Sequence, residues 1–291
     1  MKKSILSFAL VAALSLCSLG NANAQFFAYK NGKPVVMCSN GIPFDSISFV
    51  APAPVKIKGS IPTKAQAVDL GLSVLWAPYN LGATEETQAG AFMAWGETQS
   101  KEYFDWGTYK WMTPGCNAGW AINKYQINDH LDGGYTNPNA TTKGVWYDYS
   151  GSVPKFIGDG KNKLESADDP VTANWGNGWR LPTREDFIEM SQKCDVEYVA
   201  NYKDTGNAAF IVKGRGDYAG NQVVFVSAGC KGAQGVVSPG IGLWWTSQLY
   251  SNTSQNARVI CFELNGTTAG FQTGYCYPRN MGYMVRGVIA K

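Results

Sequence analysis

The sequence WGNGWRLPTREDF, residues 175–187, is the most distinctive string in the chain and leads into its main predicted helix. Trp175 and Trp179 flank a Gly-Asn-Gly turn, and Arg180 and Pro182 follow. Because tryptophan buries a large apolar area, we interpret the pair as the anchor of the loop before the helix, with Arg180 paired to a carboxylate or to carbonyl groups. The alternative is a ligand platform formed by the two rings and the guanidinium group.

One main helix is predicted in LPTREDFIEMSQKCD, residues 181–195. Thr183 is a helix-capping residue type, and Asp186 at the third helical position comes close to the capping-box pattern. Acidic residues in the first turn also suit the positive end of the helix dipole. Three side chains at positions i, i+3 and i+7 share one face of this helix: Phe187, Met190 and Cys194.

Strand-like runs lie on both sides of the helix. Upstream, VDLGLSVLW (residues 68–76) carries apolar residues at every second position, which predicts a strand. Downstream come five runs separated by turn signals: AAFIVKG, QVVFVSAG, LWWTSQLY, ARVICFEL and GYMVRGVIA. Alternation in LWWTS predicts that only one of Trp244 and Trp245 faces the core. A strand, a loop region, one helix and an antiparallel meander indicate the α+β class.

Residues 79–178 form a long, turn-rich region with little helical periodicity. Aromatic residues make up 13% of the chain and charged residues only 16%, a composition that argues against disorder. The region holds six tryptophans: Trp95, Trp106, Trp111, Trp120, Trp146 and Trp175. We expect irregular loops that pack on the core through their own aromatic side chains.

The chain begins with an export signal. A positive start, MKK, is followed by the apolar run ILSFALVAALSLCSLG and by the small residues of ANA at 22–24, so residues 1–24 are predicted to be a signal peptide and Gln25 the mature start. A transmembrane helix is the alternative, but the apolar run is short for a span. Cys17 suggests a lipoprotein, yet Leu16 stands where lipoprotein processing favours a small residue.

Export sets the expected location and limits the partners. We expect a secreted protein, or one at the periplasm or outer surface of a Gram-negative bacterium. Removing Lys2 and Lys3 from 25 basic residues leaves 23 against 22 acidic ones, a balance that disfavours nucleic acid as a partner. No later run has the ~20 apolar residues of a membrane span. The single histidine, His130, excludes multi-histidine zinc sites and weakens Ser-His or Cys-His mechanisms.

The chain divides into three predicted parts after the signal. Residues 25–52 form a small β unit, since two short runs flank Asn31-Gly32, a tight-turn dipeptide. Residues 53–66 are rich in proline and are interpreted as a linker or an extended edge. Residues 67–291 form the main domain.

Five phrases, in chain order, carry a resemblance to a known family: VDLGLSVLWAPYNLGA, AFMAWGET, DDPVTANWGNGWRLPTREDF, LWWTSQLY and GYMVRGV. Together they resemble the Fibrobacter major paralogous domain family, common in exported proteins of gut bacteria, over roughly residues 67–291. The family is similar to the C-type-lectin-like fold of formylglycine-generating enzymes and of the variable proteins of diversity-generating retroelements. The resemblance implies a C-type-lectin-like domain at the cell surface or in the envelope. It implies no reaction, because a fold does not define a function.

The C-terminal strands and loops are rich in residue types that supply binding energy at recognition surfaces. In the retroelement variable proteins, which the chain resembles, this region forms the binding face. We expect ligand contacts from the loops around 250–255 and 271–280, with five candidate residues: Tyr250, Asn252, Tyr275, Tyr277 and Arg279. The alternative is that these side chains belong to the core or lie beneath the 79–178 region.

Two cysteines invite a second hypothesis. Cys261 and Cys276 lie 15 residues apart, without the close spacing of the paired active cysteines in formylglycine-generating enzymes. If a hairpin is centred near Thr268 and Ala269, the two cysteines lie on neighbouring strands and a cross-strand disulfide becomes possible.

The acidic segment DGKNKLESADD raises the question of a metal. It offers five oxygen-bearing side chains: Asp159, Asn162, Glu165, Asp168 and Asp169. Calcium favours such clusters, but the EF-hand spacing and the motifs of calcium-dependent lectins are missing. We interpret the segment as a solvated acidic loop that caps neighbouring turns, with calcium as the alternative, and expect no cofactor and no metal site.

Three functions follow in order of preference. The first is a non-enzymatic surface module that binds a glycan or a protein partner. The second is a structural or assembly domain of an envelope or fimbrial complex. The third is an oxidative enzyme that resembles formylglycine-generating enzymes.

Overall fold

The computed structural model describes most of the main domain and three strands before it. The described residues are 55–291 except for 114–115, 117, 130–142, 234 and 239, together with the backbones of 27–30, 33–35 and 46–48. The predicted signal peptide, residues 1–24, and His130 lie outside the described residues.

Three short strands form the N-terminal β unit. Strands β1 (Phe27–Lys30), β2 (Lys33–Val35) and β3 (Ser46–Ser48) make an antiparallel sheet in the order β2-β1-β3. Lys30 pairs with Lys33, so two residues connect β1 and β2. This pairing agrees with the tight turn predicted at the Asn-Gly dipeptide.

The main domain consists of antiparallel sheets with few helices, an arrangement compatible with the predicted α+β class. Its helices are α1 (Pro170–Trp175) and α2 (Arg184–Lys193). Its strands are β4 (Val74–Asn80), β5 (Tyr147–Asp148), β6 (Lys155–Phe156), β7 (Asp195–Val199), β8 (Ala208–Lys213), β9 (Gln222–Ser227), β10 (Cys230–Gly232), β11 (Gly235–Val237), β12 (Gly242–Leu249), β13 (Asn256–Asn265), β14 (Thr268–Gln272), β15 (Cys276–Pro278) and β16 (Arg286–Ala290).

The strands after α2 do not form one meander. One sheet has the order β7-β8-β9, and a second has the order β12-β13-β14 with β15 also paired to β13. The last strand, β16, pairs instead with β4, so that Val288 lies opposite Trp76 and Arg286 opposite Asn80. The end of the chain is therefore joined to the start of the domain. Neither described helix is long and apolar enough to cross a membrane.

The core lies on both faces of β12, and this corrects the prediction for its two tryptophans. Trp244 packs edge-on against Phe225 and Phe262, with ring centroids 5.1 and 5.2 Å away. Trp245 points to the other face and packs at 4.6 Å from Tyr283. Both indoles are buried. The predicted alternation is correct, but β12 is covered on both sides and neither residue faces solvent.

The strand predicted at residues 68–76 is partly wrong. β4 begins only at Val74, because the chain reverses before it. Gly71 has a φ of +80°, a conformation that glycine adopts without strain. Val68 consequently pairs with Trp76 across the turn instead of preceding it in the same strand.

The main helix, α2, begins as the sequence predicts. The Thr183 hydroxyl accepts from the Asp186 N–H, and the Asp186 carboxylate accepts from the Thr183 N–H, which completes a capping box. Phe187, Met190 and Cys194 are buried together on the core-facing side. The helix is thus held by its cap and by one apolar face.

A second helix, α1, was not predicted. Asp169 caps it by accepting from the N–H groups of Val171 and Thr172, and Pro170 occupies its first position. Aspartate at the cap followed by proline at the first helical position is a recognised signal for the start of a helix. The helix has only six residues, too few to show a helical period in the sequence.

Both tryptophans of the distinctive string are anchors. Trp179 is only 2% exposed, and its indole N–H donates to the Pro62 carbonyl at 3.0 Å. Trp175 packs edge-on against Trp179 at 5.4 Å. A Cβ atom at Gly287 would lie 2.4 Å from the Trp175 ring, so β16 passes close to it. The predicted anchor is confirmed, and the ligand platform is wrong because the rings are buried.

Arg180 and Pro182 connect the same loop to the core. The Arg180 guanidinium forms an ion pair with Asp186 at 2.7 Å, and the backbone N–H of Arg180 donates to the Val288 carbonyl. This confirms the predicted carboxylate pairing. Pro182 is buried, and its carbonyl accepts from the Ser247 N–H at 2.9 Å.

Residues 55–66, which fall in the predicted linker, lie against the domain. Val55 donates its N–H to the Ser100 carbonyl at 2.8 Å, and Ser60 donates to the Ala83 carbonyl at 3.0 Å. The described part of this segment therefore follows the domain surface as an extended edge.

The described part of residues 79–178 is largely irregular, as predicted. Its structure comes from buried indoles that find hydrogen-bond acceptors. The Trp95 N–H donates to the Thr246 carbonyl at 2.9 Å, and the Trp146 N–H donates to the Asp129 carboxylate at 2.9 Å. The aromatic side chains thus fix the loops to the sheets.

Replacing Trp179 with alanine is expected to reduce the free energy of unfolding by about 3–5 kcal/mol, because it removes a buried indole and its hydrogen bond. Trp179→Phe keeps most of the apolar volume and should cost less. Urea unfolding followed by circular dichroism measures both. The partly exposed Trp120 provides the matched control, and equal losses for Trp179→Ala and Trp120→Ala contradict the anchoring role.

Candidate functional site

The β13–β15 pair separates the predicted ligand residues onto two faces. Ala257 lies opposite Tyr277, and Arg258 lies opposite Cys276. Because side chains alternate along a strand, Tyr277 and Tyr275 lie on the face of Ala257, and Cys276 lies on the face of Arg258. Tyr275 and Tyr277 contact each other, with nearly parallel rings and centroids 6.4 Å apart.

Tyr250 and Asn252 belong to the opposite face. The Arg258 guanidinium lies over the Tyr250 ring, 5.0 Å from its centroid. The Asn252 side-chain amide donates to the Tyr250 hydroxyl at 3.3 Å. The structure therefore does not bring these two residues together with the Tyr275–Tyr277 pair.

Arg279 corrects the sequence prediction most directly. It is 0% exposed and cannot reach an external ligand. Its Nε donates to the Tyr109 hydroxyl, its Nη1 to the carbonyls of Tyr125 and Ser254, and its Nη2 to the Lys124 carbonyl, all within 3.0 Å. Arg279 is a structural residue, because it joins the 79–178 region to the C-terminal segment.

Aromatic rings surround the same guanidinium. Its central carbon lies 4.9 Å from the Trp95 ring, 5.4 Å from Tyr109 and 5.9 Å from Tyr125. Burial raises the pKa of Tyr109, which keeps that phenol neutral, and its hydroxyl donates to the Trp95 carbonyl at 2.7 Å. Carbonyl oxygens and ring faces thus take the place of a carboxylate partner.

A pocket opens beside the Tyr275–Tyr277 pair. It has a volume of about 280 Å³ and lies between the β10–β11 hairpin, the start of β12 and β15. We call it the tyrosine pocket, and eight residues line it: Cys230, Ser238, Ile241, Leu243, Tyr277, Pro278, Met281 and Tyr283. Most of these side chains are apolar or aromatic, the composition usual for ligand pockets.

Tyrosines form the rim and the wall of the tyrosine pocket. Tyr277 is 37% exposed, its neighbour Tyr275 is 42% exposed, and Ile241 is also exposed. Tyr283 is buried and meets Tyr277 edge-on at 5.8 Å. Burial raises the pKa of both Tyr277 and Tyr283, so their phenols stay neutral at physiological pH. No described residue hydrogen-bonds either hydroxyl, which leaves two polar groups for a ligand.

Sequence reasoning identified Tyr275 and Tyr277 but missed most of the pocket. Ile241 gave a weak signal, since it is a single apolar residue between two glycines in a turn. Ser238 and Met281 gave no signal in the sequence. They lie together at the pocket because Lys231 pairs with Gly282 and so brings the β10–β11 hairpin next to residues 281–283.

Cys261 and Cys276 lie on neighbouring paired strands, as predicted, but they are not bonded. The hairpin turns at Gly266, so Cys261 pairs with Gln272 while Cys276 pairs with Arg258. The predicted hairpin centre is therefore wrong. Cys261 and Arg258 are three residues apart on one strand, so the two thiols lie on opposite faces of the sheet.

Both thiols are in surroundings that disfavour the thiolate. Burial raises the pKa of Cys261 to about 11, and burial also raises that of Cys276. A catalytic cysteine needs the opposite shift. The geometry thus provides neither the paired nor the activated cysteines of the oxidative-enzyme hypothesis.

The acidic segment is engaged by protein groups. Asp168 is buried and accepts from Lys124, Lys110 and the Tyr125 hydroxyl. Burial opposes its ionisation, but the hydrogen bonds from Lys124, Tyr125 and Lys110 outweigh it and lower the pKa of Asp168. The described residues contain no group of three His, Cys, Asp or Glu side chains arranged to hold a metal ion.

Comparisons with known protein families, with curated proteins and with solved structures found no match to the chain. The resemblance to the Fibrobacter major paralogous domain family therefore stays a prediction from the motifs.

Arg279→Met is expected to reduce the free energy of unfolding by about 3–5 kcal/mol, because it leaves buried acceptors without their donor. Urea unfolding gives the value. Arg215→Met is the control, since Arg215 pairs with Asp195 at the surface and its loss should change the free energy of unfolding far less. Similar losses for the two variants contradict the structural role of Arg279.

In the native protein at pH 8, Cys261 should react with iodoacetamide about a hundredfold more slowly than an unshifted thiol, because its raised pKa leaves little thiolate. Alkylation followed by peptide mass mapping measures the rate. Unfolding in urea should make Cys261 and Cys276 react fully. A Cys261–Cys276 peptide that is labelled only after reduction excludes the unbonded arrangement.

Proposed function

We propose that the chain is an exported, non-enzymatic binding module that recognises a glycan or a protein partner at the surface of a Gram-negative bacterium. Its fold is proposed to be C-type-lectin-like, of the Fibrobacter major paralogous domain type. The motif resemblance supports the fold, and the predicted signal peptide supports the location. The tyrosine pocket is the proposed binding site.

The observation that carries the proposal is the exposure of two stacked tyrosines next to a pocket. Tyr275 and Tyr277 expose large aromatic faces, although aromatic side chains elsewhere in the domain are mostly buried. Flat faces of this kind stack against sugar rings or apolar side chains. The neutral hydroxyls of Tyr277 and Tyr283 add hydrogen-bonding groups that fix the orientation of a ligand.

The raised pKa values of Cys261 and Cys276 favour a binding function over a thiol enzyme. Two stacked rings at about 1 kcal/mol each give weak affinity for a single ligand group. Firm attachment then requires several copies of the module or of the ligand.

Tyr277→Ala should reduce binding about tenfold or more, because it removes both the stacked ring and one wall of the pocket. Ligands are first found by screening the purified protein on a glycan array and against purified surface proteins. Surface plasmon resonance then measures the affinity of each hit for the parent and the variants.

Val153→Ala is the control, because Val153 is an exposed apolar residue between β5 and β6 and does not line the pocket. Tyr275→Ala should weaken binding less than Tyr277→Ala. If Tyr275→Ala, Tyr277→Ala and Val153→Ala all bind a confirmed ligand as tightly as the parent, the tyrosine pocket is not the binding site.

A further inference from the structure

Two of the six arginines in the chain have terminal guanidinium nitrogens without a partner among the described residues. In the other four, both terminal nitrogens donate to protein acceptors: in Arg180 and Arg215 to a carboxylate and backbone carbonyls, and in Arg279 and Arg286 to buried backbone carbonyls. The exceptions are Arg184 and Arg258, which we call the arginine pair. All six lie within the described residues.

Each member of the arginine pair uses only part of its hydrogen-bonding capacity. Arg184 donates from Nε to the Thr273 carbonyl at 2.8 Å. Arg258 donates from Nη2 to the Ser251 hydroxyl at 3.4 Å, which is a long contact. The remaining terminal nitrogens, both Nη atoms of Arg184 and Nη1 of Arg258, have no hydrogen-bond or ion-pair partner among the described residues.

Both arginines lie at the end of the β12–β13 pair that meets α2 and residues 273–276. Arg184 is the first residue of α2, and its N–H donates to the side chain of Gln248 on β12. Arg258 lies on the α2-facing side of β13, and the Thr246 hydroxyl of β12 donates to its carbonyl. Burial lowers the pKa of Arg258, and the like charge of Arg184 lowers it further.

The local charge is not balanced. Glu185 is the one carboxylate that raises the pKa of Arg258. It accepts from the Gln248 amide at 2.8 Å, and among the described residues it forms no ion pair with either arginine. Both arginines are partly buried. Two like charges held together out of full solvent are unfavourable, and an anion between them relieves the repulsion.

Neutral hydrogen-bonding groups lie beside Arg258. The guanidinium of Arg258 lies over the Tyr250 ring, and the Tyr250 hydroxyl, the Ser251 hydroxyl and the Asn252 amide follow in sequence. A carboxylate alone would engage the guanidinium groups and leave these three side chains bonded only to one another and to Arg258. An acidic sugar has both a carboxylate for the guanidinium groups and hydroxyls for its neutral neighbours.

We propose that the arginine pair is a second binding site, which takes the carboxylate of an acidic sugar such as a uronic acid. The two guanidinium groups hold the carboxylate, and residues 250–252 bind the sugar hydroxyls. The site is separate from the tyrosine pocket, because Tyr275 and Tyr277 lie on the other face of the β13–β15 pair. It therefore holds whether or not the tyrosine pocket binds a ligand.

Nuclear magnetic resonance of the uniformly ¹⁵N-labelled protein tests the proposal. D-glucuronate should shift the Nε–H signals of Arg184 and Arg258 in a saturable way, with an affinity on the order of millimolar, as expected for one charge-assisted contact. D-glucose should cause no such shift. Acetate, which has the carboxylate but no hydroxyls, should bind about tenfold more weakly.

Variants distinguish the arginine pair from a general charge effect. Arg258→Gln and Arg184→Gln should each weaken glucuronate binding about tenfold or more. Arg215→Gln removes the same charge from a different surface and should leave the affinity unchanged. Arg258→Lys keeps the charge and serves if Arg258→Gln does not fold; it should lose the preference for glucuronate over acetate, because lysine lacks the planar fork.

Three results overturn the proposal. They are the absence of a saturable shift with D-glucuronate, an equal effect of Arg215→Gln and Arg258→Gln, and tighter binding of a tri-glutamate peptide than of glucuronate. The last result assigns the arginine pair to an acidic peptide.

Discussion

The buried Arg286 guanidinium is the contact on which the main domain depends. Its Nε donates to the Asn80 side chain at 2.9 Å, its Nη1 to the Ala77 carbonyl at 2.9 Å, and its Nη2 to the Val224 carbonyl. Phe225 lies under it at 4.9 Å. Since a buried charge requires all of these acceptors, β4, β9 and β16 must be in place together. This one side chain therefore links the paired first and last strands, β4 and β16, to β9.

Arg279 is a second buried arginine whose guanidinium is bound by backbone carbonyls, and it lies in the irregular half of the domain. Its acceptors come from residues 109–125 and from Ser254, so loops without a sheet of their own are fixed to the C-terminal strands. Oxygen acceptors and ring faces, not acidic side chains, satisfy both buried arginines. This use of the backbone is consistent with a chain that has few charged residues and many aromatic ones.

Local signals in the sequence were sufficient for the main helix and for most strands. The cap at Thr183 and the buried face of α2 depend on residues that are close in the chain. The misplaced reversal at Gly71 and the misplaced turn at Gly266 are also local, since one glycine with a positive φ decides each of them. The burial of Arg279 was not accessible in this way, because most of its partners are far away in sequence. Exposed and buried arginines have the same appearance in a sequence, so Arg279 was assigned to the surface. Two tyrosines of the tyrosine pocket region, Tyr275 and Tyr277, stand out in the sequence. The apolar residues that line the pocket do not.

The attachment of β15 has a consequence for how the protein can change over time. Only three residue pairs join β15 to β13, and the side chains of Tyr275 and Tyr277 are partly exposed. Arg279 follows immediately and closes the segment with buried contacts. Residues 273–277 can therefore accept new side chains while the anchor after them keeps the backbone in position. A related chain can keep every internal contact of the domain and differ from this one in a few exposed side chains of the segment.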